Sequence, residues 1–259
     1  MHQNHRKTVD TSGIKVLSII IPTYNEAENI KELIEEVITV ADCLRRKYEI
    51  LIVDSASCDN TAHIAKKILN KAGRVISCAP KESLAVSVIK GFREARGDVF
   101  IVMDADGSHP VGIIPELVKA IDQGYDLVIG SRYVSGAEVI DFSPMRRISS
   151  YIGCFSGSFF CKVKDNASGF FCLRKKVIDG VKFTPLGFKI GLEIFAKGNY
   201  SSFRELPYAF RSRKKGKSKF RPKVIMQYLL QLVLLTVYKI RSLNVDKPIP
   251  VYPGKKICN

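Results

Sequence analysis

The 259-residue sequence lacks the features that mark several common classes of protein. Its seven cysteines are scattered, with no CxxC pair and no spacing typical of zinc ligands. The polar first 15 residues contain no apolar segment of the kind found in secretory signals. These absences favour reduced thiols and a protein that begins in the cytosol over a disulfide-stapled, secreted one.

Acidic side chains are scarce in the second half of the chain. Residues 1–130 hold 16 basic and 18 acidic side chains, whereas residues 131–259 hold 25 basic and only 7 acidic ones. The segment from Arg211 to Lys223 contains 8 basic residues among 13 and no acid. Such a surplus implies an anionic partner, which at this point is nucleic acid, a membrane surface or a phosphorylated substrate.

Short apolar runs alternate with helical patterns through the first half. The runs at 16–21, 49–53 and 99–103 are typical of buried parallel strands, and the amphipathic segment 29–41 is typical of a helix. Strict alternation predicts an α/β fold with a mostly parallel sheet flanked by helices. In such sheets, ligands bind beyond the carboxyl ends of the strands.

Polar residues follow three of the predicted strands. Asp104 and Asp106 would hold a hard divalent cation such as Mg²⁺ together with substrate phosphates, or would lie in a solvated turn that Asp104 caps. On a strand, both side chains would point to the same face. Asp54 ends the second strand and suits a hydrogen bond to a sugar or base, whereas Asp59 is expected to cap the following helix.

Phosphate contacts are expected from arginine and lysine in the basic half, since a guanidinium fork matches phosphate geometry. Most of these side chains are expected to be merely solvated. The candidates are Arg132, Arg146, Arg147, Arg211, Arg213 and Lys219.

Seven short strings follow one another in a familiar order. They are IPTYNE at 21–26, IVDSASCDNT at 52–61, MDADGSHP at 103–110, GSRY at 130–133, RRISS at 146–150, SGF at 168–170 and RKKGKSK at 213–219. Together they resemble the polyprenol-phosphate (dolichol-phosphate) mannosyl and glucosyl synthases, inverting glycosyltransferases of family 2 with a GT-A fold.

The resemblance implies transfer of a hexose from GDP-mannose or UDP-glucose to a polyprenyl phosphate, with Mg²⁺ or Mn²⁺ as cofactor. It implies that the nucleotide pocket is lined by Pro22, Tyr24 and Glu26, with Val53 and Asp54 beside the base and ribose. It also implies that the diphosphate and metal site is formed by Asp104, Ala105 and Asp106. Asp106 is the expected direct metal ligand. Phosphates would be held by Arg132, Arg213 and Lys219, and the acceptor phosphate would meet Arg146 or Arg147.

Three positions depart from the family pattern. Ser55 replaces a second aspartate after Asp54, Ser83-Leu84-Ala85 replaces a GLG loop, and Phe171 replaces the arginine of SGFR. These changes leave open an altered donor or weakened catalysis.

The basic residues that flank the 15 uncharged residues at 224–238 favour a helix lying against an anionic bilayer, or an oligomerisation helix. A full span needs roughly 20 apolar residues, so this segment is too short. A core helix packed on the domain is the alternative. We therefore expect an N-terminal extension at 1–15, a GT-A domain at 16–222, an interfacial or membrane-associated helix at 223–243 and a tail at 244–259.

These expectations place the protein at the cytoplasmic face of a membrane, peripheral or anchored through its C-terminus, with a homo-oligomer or a small membrane subunit as possible partners. Two other classes remain open: a non-catalytic relative acting as a partner subunit, and a basic nucleic-acid-binding protein. The second is disfavoured because the sequence has no RNA-binding motif and its acidic strand ends would repel a polyanion, so no nucleic-acid partner is expected.

Overall fold

The computed structural model describes residues 16–80, 82–140, 144–184, 186, 189–211 and 222–244. The strands within this part are β1 (Val16–Thr23), β2 (Lys47–Asp54), β3 (Gly73–Ser77), β4 (Val99–Val102), β5 (Leu127–Ser131), β6 (Glu138–Val139), β7 (Phe171–Arg174), β8 (Phe203–Pro207) and β9 (Ala209–Phe210). The helices are α1 (Ile30–Cys43), α2 (Thr61–Leu69), α3 (Leu84–Glu94), α4 (Ile114–Asp122), α5 (Pro144–Gly157), α6 (Ile190–Lys197) and α7 (Pro222–Asn244). The predicted extension at 1–15 and tail residues 245–259 lie outside it.

Seven strands form one sheet in the order β3-β2-β1-β4-β7-β5-β8. Every neighbouring pair is parallel except those of β7, which runs antiparallel to both β4 and β5. The predicted mostly parallel α/β sheet is confirmed, but strict alternation did not foresee the inserted antiparallel strand. A separate parallel pair joins β6 to β9.

The continuous apolar runs become buried strands because helices cover both faces of the sheet. Side chains alternate along a strand, so Ile19 and Ile21 pack on one face with α1, α2 and α4, while Ile20 packs on the other face with α3. All three isoleucines are fully buried. This arrangement leaves the carboxyl ends of β1, β2 and β4 adjacent to one another at one edge.

A network of polar side chains connects the amino ends of β1 and β2, opposite the carboxyl ends described above. The buried carboxylate of Glu49 accepts hydrogen bonds from Ser18 Oγ (2.7 Å) and from the Arg96 amide (2.6 Å), and it pairs with Arg74 (2.6 Å). Burial alone would raise the pKa of Glu49, but these bonds outweigh burial and lower it. Glu49 therefore stays ionised and stabilises the fold at neutral pH.

The C-terminal segment forms the helix α7, which packs on the domain by one side. Gln231 and Leu235 are buried, and Gln231 Nε2 donates to the Lys189 carbonyl at 2.9 Å. Tyr228 makes contact with α5 through Ser156, its hydroxyl lying 3.3 Å from Ser156 Oγ. In the described part of the chain no helix has the length and apolar character needed to cross a membrane.

Candidate active site

The carboxyl ends of β1 and β2 are joined by side-chain hydrogen bonds. Asp54, buried at the end of β2, accepts from Thr23 Oγ1 at 2.9 Å and from both the amide and the hydroxyl of Ser57, at 2.9 and 2.6 Å. Its carboxylate is thus held in one orientation at the edge where the sequence predicts a nucleotide. Asp54 therefore links the end of β1 to the loop that follows β2.

The loop after β1 is fixed by residues that lead into α2. The Glu26 amide donates to Thr61 Oγ1 at 2.9 Å, and Asp59 accepts from the amides of Ala27 (3.0 Å) and Thr61 (3.2 Å). Burial would raise the pKa of Asp59, yet these hydrogen bonds outweigh it and lower the pKa. The predicted capping role of Asp59 is therefore observed, and it extends to the neighbouring loop.

Three predicted nucleotide contacts have buried side chains. Val53 is fully buried in the core shared with α3, and Pro22 and Ala105 are also buried. The side-chain alternation of β2 directs the Val53 side chain into the core, so a contact of Val53 with the base or ribose would involve its main chain. Tyr24, by contrast, is 48% exposed and presents an aromatic ring beside Glu26.

The acidic pair lies in a loop and not on a strand, because β4 ends at Val102. Asp106 Oδ1 accepts from the Ser108 amide at 3.1 Å, and Gly107 has a positive φ of 74°, which turns the chain. The expectation of two side chains on one face of a strand therefore does not apply. Both carboxylates nevertheless follow the buried strand at the predicted edge.

The acidic loop suits a hard cation that takes its remaining ligands from a substrate. Within the described residues no group of three or more His, Cys, Asp or Glu side chains has a metal-binding arrangement. Gly169 lies near Asp104, because a Cβ at position 169 would come within 3.4 Å of both carboxylate oxygens.

The buried side chain of His109 forms a hydrogen bond with the main chain of the acidic loop. Its Nδ1 accepts a hydrogen bond from the Asp104 amide at 3.0 Å, so this nitrogen carries no proton. Burial lowers the pKa of His109 and outweighs the carboxylates of Asp104 and Asp106, which would raise it. The imidazole is therefore neutral at physiological pH.

Arg132 follows β5 and forms a buried ion pair with Asp165. Its Nε and Nη2 donate to the two carboxylate oxygens of Asp165 at 2.8 and 2.7 Å, and its amide donates to Oδ2 at 2.8 Å. Burial would lower the pKa of Arg132, but the hydrogen bonds and charge of Asp165 outweigh it and raise the pKa. The predicted phosphate ligand therefore already has a fixed anionic partner in the protein.

Asp165 is the main residue of this region that the sequence did not reveal. It is fully buried, and its amide is held by Glu205 Oε1 at 3.0 Å. Arg132 and Asp165 are separated by 33 positions and by α5, and no string in the sequence marks their contact.

Another predicted phosphate contact, Arg211, lines a cavity together with Gly107 and Ser108 of the loop that follows β4. Arg147 is exposed near the start of α5 and donates to the Val139 carbonyl at 3.0 Å. Arg146 lies in the same helix, and its side chain falls outside the described part. Arg213 and Lys219 also fall outside it.

The three departures from the family pattern have local structural roles. The Ser55 hydroxyl lies 2.7 Å from the Ser87 hydroxyl in a buried pair, and Ser83 Oγ caps α3 by accepting from the Val86 amide at 3.4 Å. Phe171 is fully buried and packs edge-on against Phe195, with ring centroids 5.6 Å apart.

A cavity of about 670 Å³ borders the acidic loop from the side of α1. Glu32, Glu35 and Glu36 line one wall, and Ser108 and His109 line another. Arg211 also lines this cavity, so a positive side chain and three carboxylates border the acidic loop from this side.

Comparison with known proteins places these features in a family. The model of the family described as "Glycosyl transferase family 2" matches residues 18–181. The chain belongs to glycosyl transferase family 2. The predicted family and the expectation of a glycosyltransferase are thereby confirmed.

Two curated relatives extend the match beyond the family model. The dolichol-phosphate mannosyltransferase of Pyrococcus furiosus is 43% identical over 224 residues, which cover 85% of this chain and 63% of the relative. The dolichol-phosphate mannosyltransferase of Saccharomyces cerevisiae is 32% identical over 239 residues, 88% of this chain and 89% of the relative. The chain thus spans less than two thirds of the length of the Pyrococcus protein.

A solved structure supports the fold. The glucosyl-3-phosphoglycerate synthase of Mycobacterium tuberculosis, in complex with Mn²⁺, UDP-glucose and phosphoglyceric acid, superposes with a TM-score of 0.62 at 16% identity. The match covers 87% of this chain and 79% of that protein. The predicted GT-A architecture of this family 2 glycosyltransferase is confirmed.

Proposed function

We propose that this glycosyltransferase transfers a hexosyl group, with inversion, from a nucleotide-sugar to a polyprenyl phosphate. The observation that carries the proposal is the acidic loop Asp104–Asp106 at the same sheet edge as Asp54 and Tyr24. The names of two relatives, both dolichol-phosphate mannosyltransferases, support the acceptor. GDP-mannose and UDP-glucose are the donors we propose to test first.

The donor half of the site would use the strand ends. Tyr24 offers its exposed ring to the base, Glu26 and Asp54 offer carboxylates to base and ribose, and the diphosphate lies toward Asp104 and Asp106. A Mg²⁺ or Mn²⁺ ion held by these two aspartates would supply electrostatic stabilisation of the departing diphosphate. Arg132, Arg213 and Lys219 are proposed to contact phosphate oxygens.

The acceptor half needs little acid–base chemistry. A phosphate monoester is already anionic near neutral pH, so it attacks the anomeric carbon without a strong general base. The protein must instead bring this anion close to the donor diphosphate against charge repulsion. We assign that task to the basic half of the chain, with Arg147 or Arg146 nearest the acceptor.

An apolar surface beside this half suits a membrane-embedded acceptor. Among the described residues, all but one of the exposed large apolar side chains lie on α5, the turn after it, or α7. They are Ile148, Tyr151, Ile152, Phe155, Phe159, Ile225, Met226, Leu229, Leu230, Val233, Val237, Tyr238 and Ile240. We call these residues the apolar platform.

The two helices that carry the apolar platform are in contact. Tyr228 of α7 contacts Ser156 of α5, and Lys239 Nζ donates to the Phe159 carbonyl at 2.8 Å. Large exposed apolar patches on soluble proteins commonly mark protein or membrane contacts. We propose that the platform lies on the bilayer surface and delivers the lipid phosphate toward Arg147 at the start of α5.

The transfer reaction is tested with purified protein, a short polyprenyl phosphate, Mg²⁺ or Mn²⁺, and a panel of labelled nucleotide-sugars. Label is expected to enter the lipid phase from one donor. Asp106→Ala is expected to reduce metal-dependent transfer by at least about 100-fold, because it removes the expected direct metal ligand. Glu116→Ala, a change in α4, serves as the control carboxylate. Folded protein that transfers no sugar from any donor would refute the enzymatic proposal.

Membrane docking is tested with sedimentation of vesicles containing anionic lipid. Ile152→Asp combined with Leu229→Asp is expected to reduce binding at least 10-fold, since both exposed side chains would enter the apolar layer. A matched pair of exposed neutral residues elsewhere, changed as Thr39→Asp with Gln123→Asp, adds the same two negative charges. Equal binding by both double variants would refute docking through the platform, and a stable dimer lost in the first variant would identify an oligomer interface instead.

A further inference from the structure

His109 is held rigidly behind the acidic loop. Its buried ring stacks on Phe170 with centroids 5.0 Å apart and planes 12° from parallel. The edges of Tyr208 and Phe210 pack around it at 6.0 and 6.2 Å. Three aromatic rings therefore restrict the imidazole to one orientation.

Both nitrogens of this fixed ring lie near the same residue. Nδ1 accepts a hydrogen bond from the Asp104 amide at 3.0 Å, which places the ring proton on Nε2. Nε2 lies 3.9 Å from Oδ2 of Asp104, which is too far for a direct hydrogen bond. The hydrogen bond to Nδ1 is therefore the contact through which His109 fixes the main chain of Asp104.

Gly169 bounds the same carboxylate at close range. A Cβ at this position would lie 3.4 Å from both Asp104 oxygens and 3.5 Å from Cε1 of His109. The Asp104 carboxylate therefore has His109 and Gly169 as neighbours on the protein side, while its side chain remains 36% exposed. Since Asp104 lies beyond the last residue of β4, the strand itself does not fix this side chain.

We propose that His109 is a positioning residue that holds Asp104 in the orientation from which its carboxylate binds a divalent cation. The inference rests on the proposed metal site at Asp104 and Asp106. Groups that orient a metal-binding side chain commonly contribute 10- to 100-fold to metal affinity. His109 would contribute through Asp104 without touching the metal or the sugar donor.

The test measures the Mn²⁺ affinity of the full-length protein by electron paramagnetic resonance and compares two variants of His109 with the wild type. His109→Phe keeps a ring among the aromatic neighbours and removes both nitrogens, so we expect Mn²⁺ affinity to fall at least 10-fold. His109→Asn places an amide oxygen near the position of Nδ1. It is expected to accept from the Asp104 amide and to recover most of the affinity.

The same replacements at His63, which is exposed on α2, control for the loss of a histidine elsewhere. Wild-type affinity in His109→Phe would overturn the proposal, as would an equal loss in His109→Phe and His109→Asn when both are folded.

A second measurement needs no variant and decides the matter if His109→Phe does not fold. Long-range ¹H–¹⁵N correlation spectra of the wild-type imidazoles are expected to show His109 as the Nε2–H tautomer, with the Nε2 signal shifting when Mg²⁺ is added. An Nδ1–H tautomer, or no response to Mg²⁺, would overturn the inference.

Failure of the metal site itself gives a different result. Asp106→Ala that binds Mn²⁺ like the wild type refutes the proposed site. Loss of Mn²⁺ in Asp106→Ala with full binding in His109→Phe refutes only the positioning role.

Discussion

Replacing Asp165 with asparagine is expected to lower the free energy of unfolding by about 3–5 kcal/mol. The change leaves the buried guanidinium of Arg132 without its counter-charge. The side chains of Arg132 and Asp165 are 9% and 0% exposed, so solvent compensates little for the loss. For a protein of this size, the expected fall in Tm is about 6–15 °C.

A double-mutant cycle separates the pair from its surroundings. Arg132→Met alone is expected to cost a similar amount, because it leaves the Asp165 carboxylate buried and unpaired. The double variant Arg132→Met with Asp165→Asn is expected to lose at least about 2 kcal/mol less than the sum of the single losses. Its asparagine oxygen still accepts from the Arg132 amide, so the main-chain bond survives.

The assay is guanidinium unfolding followed by circular dichroism, with nucleotide binding measured below the onset of unfolding. The more exposed pair Arg46–Asp122 provides the control. It is also joined by two hydrogen bonds, from Nη1 and Nη2 of Arg46 to the two carboxylate oxygens of Asp122, at 3.1 and 2.9 Å. Asp122→Asn is expected to cost no more than about 1 kcal/mol. The buried-pair argument would be refuted if Asp165→Asn lowered the free energy of unfolding as little as Asp122→Asn does. It would also be refuted if the losses of the two single variants simply added up in the double variant.

Nucleotide affinity adds a functional comparison. If Arg132 also contacts phosphate, Arg132→Met weakens nucleotide binding whereas Asp165→Asn does not, because the latter keeps the positive charge. Equal affinities in the two folded variants would limit Arg132 to its structural pairing.

Two further changes test features that position the site. Glu49→Gln is expected to destabilise the protein by about 1.5–3 kcal/mol at pH 7, as it removes charge-assisted hydrogen bonds. Folding lowers the pKa of Glu49, so its contribution to stability is present above the unfolded-state pKa near 4.3 and disappears as the pH falls through the folded-state pKa. Unfolding curves measured from pH 3 to 7 check this expectation. A loss of stability in Glu49→Gln that does not depend on pH would contradict it. Phe171→Arg, which restores the family residue, is expected to lower the free energy of unfolding by at least about 4 kcal/mol, because it places an unpaired charge in the core beside Phe195. The control Phe171→Leu is expected to lower it by about 1 kcal/mol. Wild-type stability with stronger nucleotide binding in Phe171→Arg would show that the residue faces the site.

The sequence located the strand ends well because their signal is local. A buried parallel strand is a short continuous apolar run, and the polar residues that follow it mark the sheet edge. This is why Asp54 and the pair Asp104–Asp106 could be placed before the fold was known. The local pattern does not indicate where the Val53 side chain points, and the structure places it in the core.

Contacts between distant segments had no such signal. The insertion of β7 between β4 and β5, antiparallel to both, depends on how the chain returns after α5. The shared surface of α5 and α7 likewise depends on packing across about 70 residues, as in the contact between Ser156 and Tyr228.

The sequence by itself determined the α/β class, the family and the acidic loop that marks the candidate metal site, because apolar periodicity and short ordered strings are properties of neighbouring residues. Only the tertiary structure decided that Arg132 is paired with Asp165, that the His109 ring bonds the Asp104 amide, and that α5 and α7 are in contact. Burial and hydrogen-bond partners are fixed by the meeting of segments far apart in the chain. One-dimensional patterns do not record which segments meet.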